Sequence, residues 1–202
     1  MERFIVAITG ASGAIYGARL IQAIGAAGGE VAVVVSHAAL AILRDEVGWE
    51  LASDGAARAV QIATACGVAA ERITCYRNGD GYAPIASGSY RWQAMVVAPC
   101  SMASLAAIAH GLADNLIRRA ADVTLKEGRR LIVVPRESPL SLIHLENLAA
   151  VARAGAHIIP PIPHFYTHPQ TVEEVVAQTV ARVLDHLGLA HDLTPRWHGQ
   201  EG

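Results

Sequence analysis

The sequence predicts an α/β fold in which helices cover both faces of an open parallel sheet. The first observation is a set of short apolar runs, rich in β-branched residues, which is typical of parallel strands buried on both faces. The second is that stretches with helical character separate these runs, and strands alternating with helices favour a parallel sheet. The predicted strands are Phe4–Thr9, Val31–Val35, Met95–Ala98, Leu131–Val134 and Ala156–Ile159.

The predicted helices lie between and after these strands, and two have recognisable starts. Thr171 with Glu174 forms a capping box for the last helix. Ser138 followed by Pro139 suits an N-cap with proline at the first helical position. All the elements together predict a three-layer, Rossmann-like or flavodoxin-like arrangement. The helices are Ala14–Ala27, Ala38–Val47, Ala56–Ala65, Ser101–Ala109, Asn115–Glu127, Ser141–Ala154 and Val172–Leu187.

Length and composition limit the class of protein. A chain of 202 residues is predicted to form one domain, residues 1–202, with a core of about 3–188 and a tail of 189–202. Hydrophobic residues make up 52% and charged residues 17%, which excludes intrinsic disorder. The net charge of -2 argues against a nucleic-acid partner.

A cytoplasmic location is expected. The first residues lack the apolar region of a signal peptide. The stretch from Trp92 to Leu112 has no charged residue and is long enough to span a bilayer, but it divides naturally into a strand, a turn and a helix, so no membrane span is expected. Cys66, Cys75 and Cys100 form no CxxC pair, which suits a reducing compartment.

The residues that follow the predicted strands indicate a ligand site. Ligands of open α/β sheets bind outside the carboxyl ends of the strands. Small and hydroxyl residues are concentrated there, and their amides can bind an anion such as phosphate. Ordinary turn chemistry explains the glycines and prolines but not hydroxyls after three strands. The residues concerned are Gly10-Ala11-Ser12-Gly13, Ser36, Ser101-Met102-Ala103-Ser104 and Arg136-Glu137-Ser138.

An FMN-sized mononucleotide fits these residues better than a dinucleotide. Ser12 replaces the second glycine of the G-x-G-x-x-G pattern, and no acidic residue follows the second strand to bind a ribose. No GK[ST] sequence is present, which excludes a P-loop.

A second group of candidates is charged. Asn115, Arg119, Asp122 and Lys126 share one helix face, which suits either a site or a solvated face with salt bridges. Arg136-Glu137 follows an apolar strand and is expected to be buried, either as an ion pair or with a perturbed acid.

The histidines, cysteines and tryptophans outside these groups are mostly expected to have structural roles. His164 and His168 have no third ligand at metal-binding spacing, and Cys100 is expected to be a buried structural thiol. Trp49 and Trp92 suit packing, whereas Trp197 lies in a polar tail.

Seven motifs stand in order between Arg3 and about Trp197. They are Gly10–Gly17, Ser36, Ser87-Gly88-Ser89, Pro99-Cys100-Ser101, Arg119–Val123 with Lys126-Glu127, Arg136–Leu140, and Pro160–Tyr166. Together they resemble the UbiX family of flavin prenyltransferases.

The resemblance implies the reaction and its partners. Reduced FMN and dimethylallyl monophosphate would be the substrates, and the prenyl group would join N5 and C6 of the flavin. The product, prenylated FMN, would serve a UbiD-type decarboxylase, for example in ubiquinone biosynthesis. The family forms homododecamers with sites between subunits. It needs no metal, and the absence of a DDxxD sequence disfavours Mg²⁺-diphosphate chemistry.

The resemblance also assigns residues. FMN is expected to contact Gly10, Ala11, Ser12, Ser36, Ser101, Met102, Ala103, Ser104 and Arg136. The prenyl phosphate is expected to contact Ser87, Gly88, Ser89, Arg119, Lys126, Glu137, Tyr166 and Arg182. Catalytic roles fall to Ser12, Glu46, Arg119, Lys126, Glu137, Tyr166 and Trp197.

The proposed chemistry suits these residue types. Lys126, Arg119 and Arg182 would stabilise the leaving phosphate, and Glu137 would pass it a proton. Tyr166 and Trp197 would face the allyl cation with π density. Ser12 would relay the proton lost on ring closure.

The chain departs from the family pattern at His37, where the family often has lysine, and in the turn Ser101–Ser104. Three other functions are considered. They are a non-catalytic FMN carrier or small companion subunit of an aromatic acid decarboxylase, an NAD(P) dehydrogenase, and a flavin-dependent cysteine decarboxylase, whose P-x-M-N-x-x-M-W motif is missing here.

Overall fold

A computed structural model describes residues 2–197 and contains one six-stranded, wholly parallel sheet with the strand order β3-β2-β1-β4-β5-β6. The order reverses at β1, so the first crossovers run one way along the sheet and the later ones run the other way. The strands are β1 (Arg3–Ile8), β2 (Glu30–Val35), β3 (Ile73–Arg77), β4 (Ala94–Cys100), β5 (Arg130–Pro135) and β6 (His157–Ile158).

Helices cover both faces of the sheet, which confirms the predicted three-layer α/β fold. One layer consists of α1 (Ala14–Ala26), α2 (His37–Val47), α3 (Gly55–Cys66) and α7 (Val172–Leu187), whose apolar residues share one core with the sheet. The other layer consists of α4 (Met102–Ala109), α5 (Leu116–Lys126) and α6 (Leu142–Arg153).

The central strands are apolar after their first residue because both of their faces are covered. In β1, Phe4, Val6 and Ile8 belong to the first core, while Ile5 and Ala7 belong to the second. All five side chains are fully buried. The uninterrupted apolar runs predicted these strands for this physical reason.

Three strand predictions need correction. The strand β3 was not predicted, because it lies at the sheet edge, where Thr74 and Arg77 are exposed and the run is not continuously apolar. The strand β4 continues through Pro99 and Cys100, which were assigned to a turn. The last strand, β6, has only 2 residues.

One predicted helix start is wrong and one is confirmed in part. Helix α6 starts after Ser141, whose side chain accepts from the His144 amide while the His144 ring accepts from the Ser141 amide. Ser138 is therefore not its N-cap. Thr171 does cap α7, but the Glu174 carboxylate accepts from the Gln170 amide, so the predicted reciprocal box is not formed.

The uncharged stretch from Trp92 to Leu112 divides into β4 and α4, as predicted. Within residues 2–197, no helix combines the length and the apolar character that crossing a membrane requires.

Candidate functional site at the carboxyl edge of the sheet

The ends of β1 and β4 are joined through Thr9, whose backbone amide donates to the Pro99 carbonyl at 3.2 Å. Thr9 Oγ1 donates to the Pro99 carbonyl at 2.8 Å and accepts from the Ser101 amide at 2.8 Å. Thr9 is buried, so these bonds are shielded from water. They hold the residues after β1 and those after β4 in a fixed relation, as a binding edge requires.

Two serines predicted to contact FMN begin helices at this edge. Ser36 caps α2 by accepting from the Ala39 amide, and Ser101 caps α4 by accepting from the Ser104 amide at 3.3 Å. The first-turn amides of α4, from Met102 and Ala103, have no acceptor within the helix. A helix start of this kind attracts anions, so the Ser101–Ser104 turn suits the phosphate of a mononucleotide.

The backbone amides at the start of α1 bind a carboxylate of the chain itself, whereas the sequence predicted that they bind a phosphate. Oε2 of Glu46, on α2, accepts from the Gly13 amide at 2.8 Å and from the Ala14 amide at 3.0 Å. The Ser12 hydroxyl also bonds this carboxylate. A carboxylate of the chain itself thus occupies the amides that the glycine-rich sequence had assigned to phosphate, which leaves α4 as the better phosphate site.

The Glu46 carboxylate is held in its charged form. Partial burial acts to raise its pKa, but the bonds from Ser12, Gly13 and Ala14 and the charge of Arg136 outweigh burial, so the pKa is lowered. Ser12 therefore lies beside a base, as a proton relay requires.

Gly10 and Ala11 form the turn before α1. A side chain at Gly10 would lie 2.6 Å from Cβ of Ala38, so the close approach of α2 requires glycine there. Ala11 is buried, whereas Ser12 is exposed.

Arg136 and Glu137 are exposed, so the prediction that they are buried is wrong. The strand β5 ends at Pro135, and the chain then leaves the sheet across its edge. Arg136 Nε donates to the Ser12 carbonyl at 3.1 Å, which brings two predicted FMN contacts together. Glu137 accepts from the Ser138 amide at 3.0 Å.

Three other predicted residues meet at a neighbouring cavity of about 260 Å³. Tyr166 and Trp197 pack edge to face with ring centroids 5.5 Å apart, and Arg182 lines the same space. His164 also stacks on Tyr166, with ring centroids 5.8 Å apart. Trp197 is thus explained by an aromatic contact rather than by the core.

The remaining predicted residues lie elsewhere in the chain. Lys126 ends α5 and pairs with Glu127 at 2.8 Å, which lowers the pKa of Glu127 through that bond and its charge. Glu127 also lies against Gly88, whose carbonyl accepts from Arg129 at 2.6 Å. This group adjoins the start of β5, at the amino-end edge of the sheet.

Arg119 lies near the start of α5. Its Nε donates to the Ala86 carbonyl, and its Nη1 pairs with Asp122 at 2.7 Å. Ser87 and Ser89 bond each other at 2.9 Å. Asn115 caps α5 by accepting from the Arg118 amide. Within one chain this helix face carries salt bridges.

The other reactive residues have structural surroundings. Burial raises the pKa of the Cys100 thiol to about 12, so it is protonated near neutrality. Trp92 is buried and donates to the Thr124 hydroxyl, and Trp49 packs against the core. Among residues 2–197, no group of three or more His, Cys, Asp or Glu side chains is arranged to hold a metal ion.

Sequence reasoning missed the contacts that organise the tail. Asp185, on α7, binds His191 and Arg196 beyond the end of that helix. The sequence carries no signal for them, because ion pairs between a helix and an irregular segment have no fixed spacing.

Comparisons with known proteins identify the family of this chain. The Flavoprotein family model matches residues 1–184. The flavin prenyltransferase UbiX of Pseudomonas aeruginosa is 45% identical over 199 residues, covering 98% of this chain and 95% of that protein.

Two solved structures are similar over nearly the whole chain. AnUbiX in complex with FMN and dimethylallyl pyrophosphate has a TM-score of 0.88 and 40% identity, with 99% of each chain covered. A dodecameric FMN-dependent UbiX-like decarboxylase from Escherichia coli O157:H7 has a TM-score of 0.86 and 43% identity, covering 98% of this chain and 100% of that one. From its parallel sheet, its hydroxyl-rich carboxyl edge and this similarity, the chain belongs to the flavoprotein family and, within it, to the UbiX-type flavin prenyltransferases.

Proposed function

We propose that this chain is a flavin prenyltransferase that joins the dimethylallyl group of dimethylallyl monophosphate to N5 and C6 of reduced FMN. The observation that carries the proposal is the cavity where Tyr166, Trp197 and Arg182 meet. Two aromatic rings suit an allyl cation, and a guanidinium suits the phosphate that leaves it. A single flavoprotein domain, a cytoplasmic location and a UbiD-type decarboxylase as recipient of prenylated FMN are further parts of the proposal.

The carboxyl edge fits FMN. The α4 amides of Met102 and Ala103, with the Ser104 hydroxyl, would hold the phosphate. Arg136, Ser12 and Ser36 would contact the rest of the molecule. Bound FMN in its reduced form supplies the nucleophilic N5 and C6 atoms.

Two carboxylates at this edge suit different proton transfers. The Glu137 carboxyl, exposed beyond β5 in the single chain, would donate a proton to the departing phosphate once the bound substrates cover it. The Ser12 hydroxyl would pass the proton lost on ring closure to Glu46, whose lowered pKa reflects its bonds to Ser12 and the α1 amides. The aromatic pair Tyr166–Trp197 would exclude water from the cation.

The positions of Lys126 and Gly88 support a site shared between two copies of the chain. Both adjoin the amino-end edge of the sheet, whereas Ser12 and Arg136 lie at the carboxyl edge. A six-residue strand spans roughly 20 Å, which is too far for one phosphate to touch both groups in one chain. A second copy would bring its own Lys126, Arg119 and Ser87–Ser89 to the cavity.

The exposed apolar surface supports such an assembly. Leu142, Ile143 and Leu145 at the start of α6 are exposed large hydrophobic residues, as are Ile162 and Phe165 after β6. Exposed apolar side chains close together at the start of one helix are typical of surfaces covered by another protein chain. We therefore propose a homo-oligomer, and a dodecamer in particular, for this chain.

Anaerobic incubation with reduced FMN and dimethylallyl monophosphate tests the reaction. Mass analysis of the extracted flavin should show the gain of one C5 unit. Glu137→Gln should bind FMN normally and lose this gain, because the amide cannot protonate the phosphate. Unmodified FMN on a wild-type protein that binds it would indicate a carrier, and normal turnover by Glu137→Gln would refute its role as acid.

Co-expression of two inactive variants tests the shared site. Lys126→Ala alters the part of the shared site that comes from the amino-end edge of one copy. Glu137→Gln alters the part that comes from the carboxyl edge of the other copy. In mixed oligomers, about a quarter of the sites would combine two intact halves and recover activity. A mixture as inactive as either variant alone would show that the site lies within one chain.

A further inference from the structure

The Asp185 carboxylate joins α7 to the tail that follows it. Its Oδ1 atom accepts from Arg196 Nη1 at 2.7 Å and from His191 Nε2 at 3.0 Å. Its Oδ2 atom accepts from Arg182 Nη1, one turn earlier on the helix, at 3.1 Å. Both carboxylate oxygens are therefore used, and three side chains share one anion.

These contacts fix the path of the tail. Helix α7 ends at Leu187. The next residue, Gly188, has a φ of 77° and turns the chain, and Leu189 then packs against the core. His191 and Arg196 both pair with Asp185, so the tail contacts α7 at two positions. Between them, Thr194 and Pro195 form part of the cavity wall.

We call the ion pairs of Asp185 with His191 and Arg196 the anchor, and it lies next to the aromatic pair Tyr166–Trp197. Trp197 directly follows Arg196, so the position of the Arg196 guanidinium limits where the indole can lie. The indole packs edge-on against Tyr166, across the cavity that Arg182 and Asp185 also line. A change at Asp185 would therefore reach the ring through a single residue.

The anchor is partly shielded from solvent. The His191 side chain is 5% exposed and that of Asp185 is 21% exposed. Burial acts to raise the pKa of Asp185, but the bonds and charges of Arg196 and His191 outweigh it and lower the pKa. The carboxylate thus stays charged near neutrality, so the contacts persist under assay conditions.

We propose that Asp185 is a positioning residue for the prenyl phosphate, which it does not touch. It holds Arg182 at the cavity and, through Arg196, holds Trp197 against Tyr166. This inference rests on the proposed function, which gives Arg182 and Trp197 their roles. The Asp185 contact uses one Nη1 donor of Arg182, and a guanidinium has five N–H donors, so the others serve the phosphate.

The first test does not depend on the reaction. Trypsin cleaves after Arg196, and an arginine released from its ion pair is cleaved sooner. Cleavage at this bond, followed by mass spectrometry of the intact protein, should be about fivefold faster in Asp185→Asn than in wild type. Asp192→Asn is the matched control, because among the described residues no ion pair uses Asp192. Equal rates for the two variants would overturn the anchor.

The second test measures positioning during turnover. Asp185→Asn should raise the KM for dimethylallyl monophosphate about tenfold, because Arg182 loses its orienting partner. The Kd for FMN should not change, since the FMN edge is separate from this anchor. Asp185→Glu restores the carboxylate and should recover part of the KM. A variant with faster cleavage but an unchanged KM would show that Asp185 has only a structural role.

Failure of the proposed function is distinguishable from failure of the inference. If the wild type binds FMN and never prenylates it, the proposed function and the positioning role are both refuted. The tryptic comparison would still decide whether Asp185 anchors the tail.

Discussion

Replacing Glu46 with glutamine tests whether an internal carboxylate stabilises the start of α1. In the structure, one oxygen of Glu46 accepts from two backbone amides, and the Ser12 hydroxyl also bonds the carboxylate. Glutamine has nearly the same shape and keeps a carbonyl oxygen, but it loses the negative charge. The substitution therefore measures the contribution of the negative charge separately from the contribution of the hydrogen bonds.

The expected loss of stability follows from these contacts. A negative charge at a helix start contributes about 0.3–1 kcal/mol, and a side chain that caps the start contributes about 1 kcal/mol. Glu46 is exposed, so solvent reduces the effect of its charge. Glu46→Gln should thus lower the free energy of unfolding by about 0.3–0.5 kcal/mol, and Glu46→Ala, which also removes the cap, by about 1.3–1.5 kcal/mol.

The effect depends on pH in a defined direction. The pKa of Glu46 is lowered in the folded protein, so its charge contributes stability above the ordinary carboxyl range. The contribution is lost as the pH falls through the folded-state pKa. The difference between wild type and Glu46→Gln should therefore be full near pH 7 and smaller at about pH 4.

Urea unfolding of the flavin-free proteins, at one protein concentration, provides the measurement. Glu50→Gln is the matched control, because it removes an exposed negative charge near the end of α2 without touching α1. The reasoning would be refuted if Glu46→Gln matched Glu50→Gln, or if its deficit were the same at both pH values.

Two further predictions concern the packing of the edge. Gly17→Ala should lower the free energy of unfolding by about 2 kcal/mol despite the greater helix propensity of alanine, because the new Cβ would lie 2.5 Å from the Ala98 carbonyl oxygen. Urea unfolding measures this, and an unchanged or higher stability would contradict the close packing. Thr9→Val should cost about 1–2 kcal/mol by leaving the Ser101 amide without its acceptor, whereas the Pro99 carbonyl keeps its bond from the residue 9 amide. Thr9→Ser should retain most of the stability in thermal denaturation, and equal losses in the two variants would show that the hydroxyl is not responsible.

The sequence predicted the central sheet well because burial on both faces leaves a simple pattern. From Phe4 to Ile8 in β1 and from Ala94 to Ala98 in β4 every position meets a core, so apolar residues follow one another without interruption. At the edge strand β3 this physical cause is absent, and Thr74 and Arg77 face solvent. The strand therefore resembled a loop in the sequence.

The candidate site was predictable in its residue types but not in its grouping. Strand order places Ser36, Ser101 and Arg136 at one edge, and this follows from the alternation of strands and helices alone. The same rule puts the end of α5 at the other edge, since that helix leads back to the start of β5. Lys126 could thus have been assigned to the opposite edge from the sequence.

Two features required the structure. The carboxylate of Glu46 competes for the α1 amides, and nothing in a glycine-rich turn predicts a competitor from another helix. The exposure of Glu137 was also mispredicted, because an apolar strand says little about the residue that follows it.

The Thr9 hydroxyl sets a rule for engineering this protein. One oxygen atom donates to a carbonyl of β4 and accepts the amide that opens the Ser101 turn. A designer who wished to enlarge the flavin edge for a bulkier nucleotide could vary Ala103, which is exposed, without disturbing this atom. Any library that randomises position 9 should be restricted to threonine and serine, because other side chains would lose the bond that holds the Ser101 amide beside the new ligand.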